Sequence, residues 1–436
     1  MRRGRSVLSG ELAYYGKECY YSTRFRVKFK EEPDRDVLQR AVDAAVAVCP
    51  WVLYRVEEEC GKFYFNDDLS GTIQVMDWDC EHPVALGSEA VGDHVVGVFC
   101  SGRTVYFAFF HGLTDGRGIL KFIEEVIKHY HSMVSGGDYT STVIPATEYD
   151  AEPFDYVNDA YNRLSDAERA EAEQWIKYIT DFVTPEPVWE LLQLEATRHH
   201  LISMNKDDVA AFKRDVNARH YLSVFIALYF EAYRRVHGNV SGNLQICVPV
   251  DFRHVLGVDN AHRVASQRPM FVVVSVNPRM SIRDVVCVVD RFISGMTTDG
   301  AKLAYLQSFQ DFYRDINSLK YNIANKILGT NADPRPEDMY YTFQCSYAKW
   351  YTAEDEYWSV VNSVYCLSPS FSSPAVLEVM GMPQQFCIAI NQAGDNESYV
   401  NAYLQVLEDN GIRYSTEEEP VGPEQYITLR ENWGVR

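Results

Sequence analysis

The seven residues Thr104-Val-Tyr-Phe-Ala-Phe-Phe110 are uncharged and rich in β-branched and aromatic side chains, and they run directly into His111-Gly-Leu-Thr-Asp115-Gly-Arg-Gly118. A run of that kind reads as a buried strand. The glycines that follow, Gly112, Gly116 and Gly118, argue for a loop over 111–118 rather than a helix. Behind the loop, Ile119, Phe122, Ile123, Val126, Ile127 and Tyr130 recur at helical spacing and mark an amphipathic helix. A buried strand, a glycine-rich loop and an amphipathic helix in succession require a sheet with a helix packed on it.

Other stretches repeat this mixture. Val37, Leu38, Ala41, Val42, Ala45 and Val46 form a helical pattern after the start signal Pro33-Asp34. Strand-like runs occur at 62–65 and 72–76, and a polar helix is expected over 165–179. Residues 132–165, with Gly136-Gly137, Pro145 and Pro153, read as a long irregular connection. In the second half, helices are expected at 208–217 and 222–237 and strands at 244–250 and 270–276. Another helix carries Ile282, Val285, Val286, Val289 and Phe292 on one face. Strands follow near 340–346, 357–365 and 384–390, and a last helix over 397–409 stops at Asn410-Gly411. A chain of 436 residues is too long for one ordinary core. The two prolines in 183–187 mark the boundary, giving a first domain over 1–182 and a second over 183–436. The fold class is α/β, a mixed α+β arrangement of two sheet-and-helix domains meeting at a cleft, where ligand sites concentrate.

Composition removes several kinds of function. With 41 basic against 61 acidic residues the net charge is −20. Nucleic acid as a partner calls for a basic surface, and so does an anionic membrane. No run of about 18 apolar residues suggests a membrane span. The start is basic but has no apolar stretch of signal-peptide length. The ten cysteines are scattered without a CxxC pair, so reduced thiols in a cytoplasmic protein are expected. GxSxG, HExxH, P-loop and dinucleotide glycine motifs are all missing, and no clustered ligand set suggests a metal.

On the residues alone, His111 has two readings. A histidine at a strand end beside a cleft can serve as general base, because its pKa lies near working pH; it can equally be an ordinary loop histidine. Asp115 is a turn aspartate that either orients the loop through its own backbone or pairs with an arginine. His129 and His131 sit two apart on a helix end and do not face one another.

The string from His111 to Gly116 matches HxxxDG, and in this it resembles the acyl-CoA-dependent acyltransferase and condensation-domain superfamily. That superfamily includes chloramphenicol acetyltransferase, alcohol acetyltransferases, the plant BAHD enzymes and nonribosomal-peptide condensation domains. In the other half, Pro249-Val-Asp251-Phe-Arg253 resembles the family's P-x-D-x-R segment, and the opening LSGELAYYG resembles the first element of alcohol acetyltransferases. There are departures. Phe110 stands where condensation domains usually carry a first histidine, and Arg268-Pro269-Met270 replaces an expected Gly-Asn pair. No DFGWG occurs, and His199-His200 lacks a following Asp-Gly and reads as a structural pair. These departures point toward the alcohol-acetyltransferase-like branch.

The resemblance implies two chloramphenicol acetyltransferase-like lobes, each a mixed β-sheet with helices, enclosing a tunnel. It implies His111 as catalytic base for transfer of an acyl group from acyl-CoA, as co-substrate, to the hydroxyl or amine of a small-molecule acceptor, without a metal. Asp115, Gly116 and Arg253 would support the catalytic loop, with Arg253 paired to Asp115 across the lobes. Tyr341, Thr342 and Ser346, on an expected strand, are candidate oxyanion donors. Two alternatives remain: a standalone condensation-type enzyme with a carrier-bound donor, which the acidic chain disfavours, and a non-catalytic relative that binds a ligand.

Overall fold

The computed structural model describes residues 22–59, 62–66, 69–141, 153–180, 197–238, 242–259, 261–262, 270–276, 279–318, 342–349, 356–368, 375–393 and 396–420. From the start, β1 (Ser22–Phe29), α1 (Arg35–Val48), β2 (Arg55–Glu59), β3 (Lys62–Asn66), β4 (Val75–Asp77), β5 (Val96–Ser101) and β6 (Thr104–Phe110) lead to α2 (Gly116–Ser135). Then come α3 (Pro153–Asn162), α4 (Asp166–Thr180), β7 (Thr197–Asn205), α5 (Lys206–Asp215), α6 (Tyr221–His237), β8 (Gly242–Val248), the single turn α7 (Arg253–Leu256) and β9 (Met270–Val276). The chain continues through α8 (Ile282–Met296), α9 (Asp299–Ser318), β10 (Phe343–Lys349), β11 (Val361–Leu367), β12 (Ala375–Gly381), β13 (Gln385–Ala393), α10 (Ser398–Asp409) and β14 (Tyr414–Glu418).

Two large sheets organise these elements into a mixed α/β molecule. The first has the order β11-β1-β6-β5-β4 and the second β14-β7-β13-β12-β10-β8-β9, while β2 and β3 form a separate ribbon. Every residue of β6 is buried, as an interior strand covered on both faces must be. Helix α2 buries Ile119, Phe122, Ile123, Val126, Ile127 and Tyr130. Phe122 meets Phe107 of β6 edge-on at 6.2 Å, and Tyr130 meets Phe29 of β1 at 5.2 Å. Asp34 caps α1 by accepting from the Val37 amide at 3.0 Å.

The lobes are joined in two ways that no local pattern announces. Strand β11 lies far along the chain yet pairs antiparallel with β1, so a cut at 182/183 would leave one strand of the first sheet on the far side. Arg26 and Lys28 of β1 reach Glu417 of β14 at 3.1 and 2.7 Å, and Arg26 also reaches Glu419 at 3.0 Å. The core of the first lobe extends through these contacts to Leu201, Met380, Cys387 and Ala389 of the second sheet.

Several expectations need revision. The span 132–165 is not one irregular connection, because α2 continues to Ser135 and α3 begins at Pro153. Proline at a helix start costs nothing, since its missing N–H would have no partner there. Strands β7, β12 and β14 and helix α9 carry no pattern that marks them in the sequence. In β7 the imidazoles of His199 and His200 obscure the alternation, and in β12 Glu378 interrupts an apolar run. The stretch 183–187, the opening LSGELAYYG at 8–16, and Arg268-Pro269 lie outside the described residues. No helix among the described residues is long and apolar enough to cross a membrane.

Candidate active site

The loop after β6 is shorter than its glycines suggest. Helix α2 begins at Gly116, directly after Asp115, and what permits this is the cap. Asp115 Oδ1 accepts the Gly118 amide at 2.8 Å, which satisfies one of the unpaired donors of the first turn. Two glycines that disfavour a helix by propensity are thereby accommodated at its first turn, where only residues 111–114 remain as turn.

Asp115 has a second task. Its Oδ2 accepts from the Arg253 guanidinium at 2.7 Å, across the two lobes. Arg253 is 2% exposed, and each of its guanidinium nitrogens is engaged. It gives hydrogen bonds to Asp251 Oδ1 at 3.0 Å, to the Ala261 carbonyl at 2.7 Å and to the His262 carbonyl at 3.0 Å. Burial alone would lower its pKa, but Asp115 and Asp251 outweigh it and hold the guanidinium above its usual value. Thr114 adds a bond to the same His262 carbonyl at 2.6 Å, and the His262 ring stacks on Trp51 at 4.8 Å. Arg253, Ala261 and His262 of the second lobe are thus fastened along the loop that carries His111.

This fastening explains why position 118 is glycine. A Cβ on Gly118 would collide with the His262 carbonyl oxygen and with Thr114 Oγ1, so only glycine lets the two lobes approach this closely. Gly116, singled out from the sequence, is less confined: a Cβ there would meet only the Phe25 ring at 3.9 Å. Gly118→Ala is therefore expected to cost about 3 kcal/mol, the upper end of overpacking penalties, while Gly116→Ala stays close to neutral. Denaturant unfolding of the two variants checks this. The legible signal was the third glycine of the string, which backbone permissiveness alone could not distinguish from the others.

His111 follows the last residue of β6, with its ring 5.9 Å from that of Phe109. It lies deep in the molecule yet retains accessible surface, as a side chain bordering a cleft or cavity does. Burial, the largest influence, draws its pKa below the ordinary imidazole value, against the opposing pull of the Asp115 carboxylate and of its own backbone. The imidazole is accordingly neutral near pH 7, the form that accepts a proton.

The other candidates are placed separately. Thr342 is buried just ahead of β10, and Ser346 lies on β10 and donates to Glu378. Tyr341 lies outside the described residues. His199, on β7, has Nδ1 2.7 Å from Asn391 Oδ1. Among the described residues no three His, Cys, Asp or Glu side chains converge as a metal site would.

No protein-family model matches the sequence, and no curated protein matches it. Solved structures do. The polyketide synthase associated protein 5 from Mycobacterium tuberculosis is 14% identical over 93% of this chain and 98% of its own, with a TM-score of 0.60. The first condensation domain of the CDA synthetase is 15% identical over 94% of this chain and 95% of its own, with a TM-score of 0.60. TRI101 of F. graminearum, solved with coenzyme A and T-2 mycotoxin, is 13% identical over 94% of this chain and 99% of its own, at 0.58. The chain has the two-lobed fold shared by condensation domains and CoA-dependent acyltransferases.

Proposed function

We propose that this chain is an acyltransferase that moves an acyl group from acyl-CoA to a hydroxyl or amine acceptor, with His111 as general base. One observation carries the reading. A neutral, deeply set imidazole faces interior space at the end of the central strand, on a loop fixed from both lobes by Asp115 and Arg253. The likeness to structures solved with coenzyme A, and to an alcohol-acetyltransferase-like sequence pattern, supports the same donor.

In this mechanism donor thioester and acceptor meet in the space between the lobes. His111 takes the proton as the acceptor oxygen or nitrogen attacks the thioester carbonyl. The tetrahedral species collapses, the C–S bond breaks, and the departing thiolate receives that proton from His111. No acyl-enzyme is required. Holding both reactants in one interior space lowers the entropic barrier. The developing oxyanion needs a donor; Tyr341, Thr342 and Ser346 are the residues to substitute, Ser346 last because its hydroxyl already serves Glu378. Asp115, Gly116 and Arg253 support the loop and take no part in proton transfer.

Two measurements test the proposal. In a thermal-shift titration, an acyl-CoA present at about 100 times its dissociation constant raises stability by roughly 2.7 kcal/mol, and acetyl-CoA, longer acyl-CoAs and free CoA are compared. No shift with any of them favours a carrier-bound donor, as in a standalone condensation-type enzyme, or a non-catalytic binding role. The second is the pH profile of kcat/KM. Because His111 titrates below the usual imidazole value of about 6.5, the acid limb is expected below that pH. A limb above pH 7 would remove His111 as the base.

A further inference from the structure

Strand β12 is buried along its length except at Glu378, which keeps accessible surface. Its carboxyl is nonetheless deep: burial pushes its pKa up to about 7, while hydrogen bonds from Ser346 and Ser368 hold it down. Like His111, then, Glu378 borders an interior space. Ser346 stands opposite it in the β10–β12 ladder, and Ser368 Oγ donates to it at 3.4 Å. Among the described residues no arginine, lysine or histidine pairs with it. The titratable groups near enough to feel it are Cys247, Cys345 and Cys366, on β8, β10 and β11, and burial holds all three thiols protonated.

The register of the first sheet places this carboxyl relative to His111. Leu367 is level with Arg24 of β1, and Arg24 with Ala108 of β6. One residue earlier, Cys366 is level with Phe25 and Phe25 with Phe107, and Ser368 Oγ lies 3.7 Å from Cys366 Sγ. Opposed residues of antiparallel strands share a face, alternation puts Phe107 and Phe109 on it, and the His111 ring lies 5.9 Å from that of Phe109. Ser368 therefore stands on the side of the sheet that carries Phe109 and His111, two strand spacings across, on the order of 10 Å. Glu378, bonded to Ser368, occupies that side of the sheet.

A buried carboxylate without a counter-ion is unfavourable, and a cationic ligand recovers the cost. Resting on the acyl-transfer reading above, we propose that Glu378, Ser346 and Ser368 form the subsite for a protonated amine on the acceptor, holding the acceptor's nucleophilic hydroxyl or second amine toward His111. The acceptor class is an amino alcohol or diamine. On binding, the Glu378 proton leaves to solvent, the ammonium keeps its own proton, and the two charges pair.

The test is isothermal titration of the wild type and Glu378→Gln with aminohexanol, its amine and hydroxyl at opposite ends, and with hexanediol. Glutamine keeps the shape and the serine contacts, so the variant is expected to fold. It also removes a group that costs stability as pH rises from about 4.3, the unfolded value, to about 7, the folded one. Wild type is expected to bind aminohexanol at least about tenfold more tightly than hexanediol, and Glu378→Gln to lose that preference. Binding should release more protons at pH 6 than at pH 8, measured in two buffers to count them. Equal affinity for the two compounds, no binding of aminohexanol, or an unchanged preference in Glu378→Gln overturns the subsite. Thiol release from acetyl-CoA is followed in the same samples: amine binding without it leaves the subsite standing and removes acyl transfer.

Discussion

His111→Ala is expected to lower acyl-transfer kcat about 10²–10⁴-fold, the usual worth of a positioned general base, without lowering the melting temperature. The two halves of that result have separate causes. The imidazole borders open space rather than filling a packed core, and burial disfavours its charged form, so removing it sacrifices little packing. The rate falls because the other basic side chain on the β6–α2 turn, the Asp115 carboxylate, is already engaged by the Gly118 amide and by Arg253. The pH behaviour follows from the same shift. A histidine whose folded pKa is depressed makes a contribution that is present above its unfolded value of about 6.5 and is lost as pH falls through it toward the folded value. The wild type is therefore expected to lose stability on mild acidification slightly more steeply than His111→Ala. Parallel activity and thermal-melt measurements decide it: full activity in a folded variant would end the role assigned to His111.

Arg253→Ala is expected to cost about 3–5 kcal/mol, the penalty for breaking a buried ion pair from one side, and to lower activity along with stability. Truncation strands the Asp115 carboxylate and leaves the carbonyls of Ala261 and His262 without that guanidinium. Asp115→Asn is milder, since an amide oxygen can still accept the Gly118 amide or one arginine donor. Arg253→Lys does not rescue the site, because one ammonium cannot reproduce the planar fork that spans Asp115, Asp251 and two carbonyls. Acid narrows the difference through Asp251, because the wild type then loses a stabilising share that the variant already lacks. Burial raises its pKa, but Arg253 outweighs burial and holds it below the ordinary carboxylate value. Its stabilising share is present above the unfolded value of about 3.9 and is lost as pH falls through the folded one. Urea unfolding of Arg253→Ala beside His111→Ala separates the two roles. Equal stability of both variants would show that the cross-lobe pair does not hold the loop.

The strand at 104–110, the helix behind it, the cap at Asp34 and the likeness of the HxxxDG and P-x-D-x-R strings were legible because each depends on residues close together in the chain. Hydrophobic periodicity and capping act over a few residues, and a sequence displays them directly. Even so, local reasoning extended the loop to residue 118, because glycine propensity was visible while the strength of the Asp115 cap depended on where its carboxylate pointed. The necessity of Gly118 was invisible, since the atoms that exclude a side chain there belong to Thr114 and to His262, well over a hundred residues away. The same holds for β11 in the first sheet and for the open space beside Glu378. Which strand fills an edge, and which buried carboxyl borders a void, is settled by the packing of distant segments and leaves no periodic trace. The sequence by itself determined the elements with clear local periodicity and the chemistry available on the β6–α2 turn. Only the tertiary structure decided what that chemistry faces, because pairing, close approach and desolvation are properties of neighbours in space.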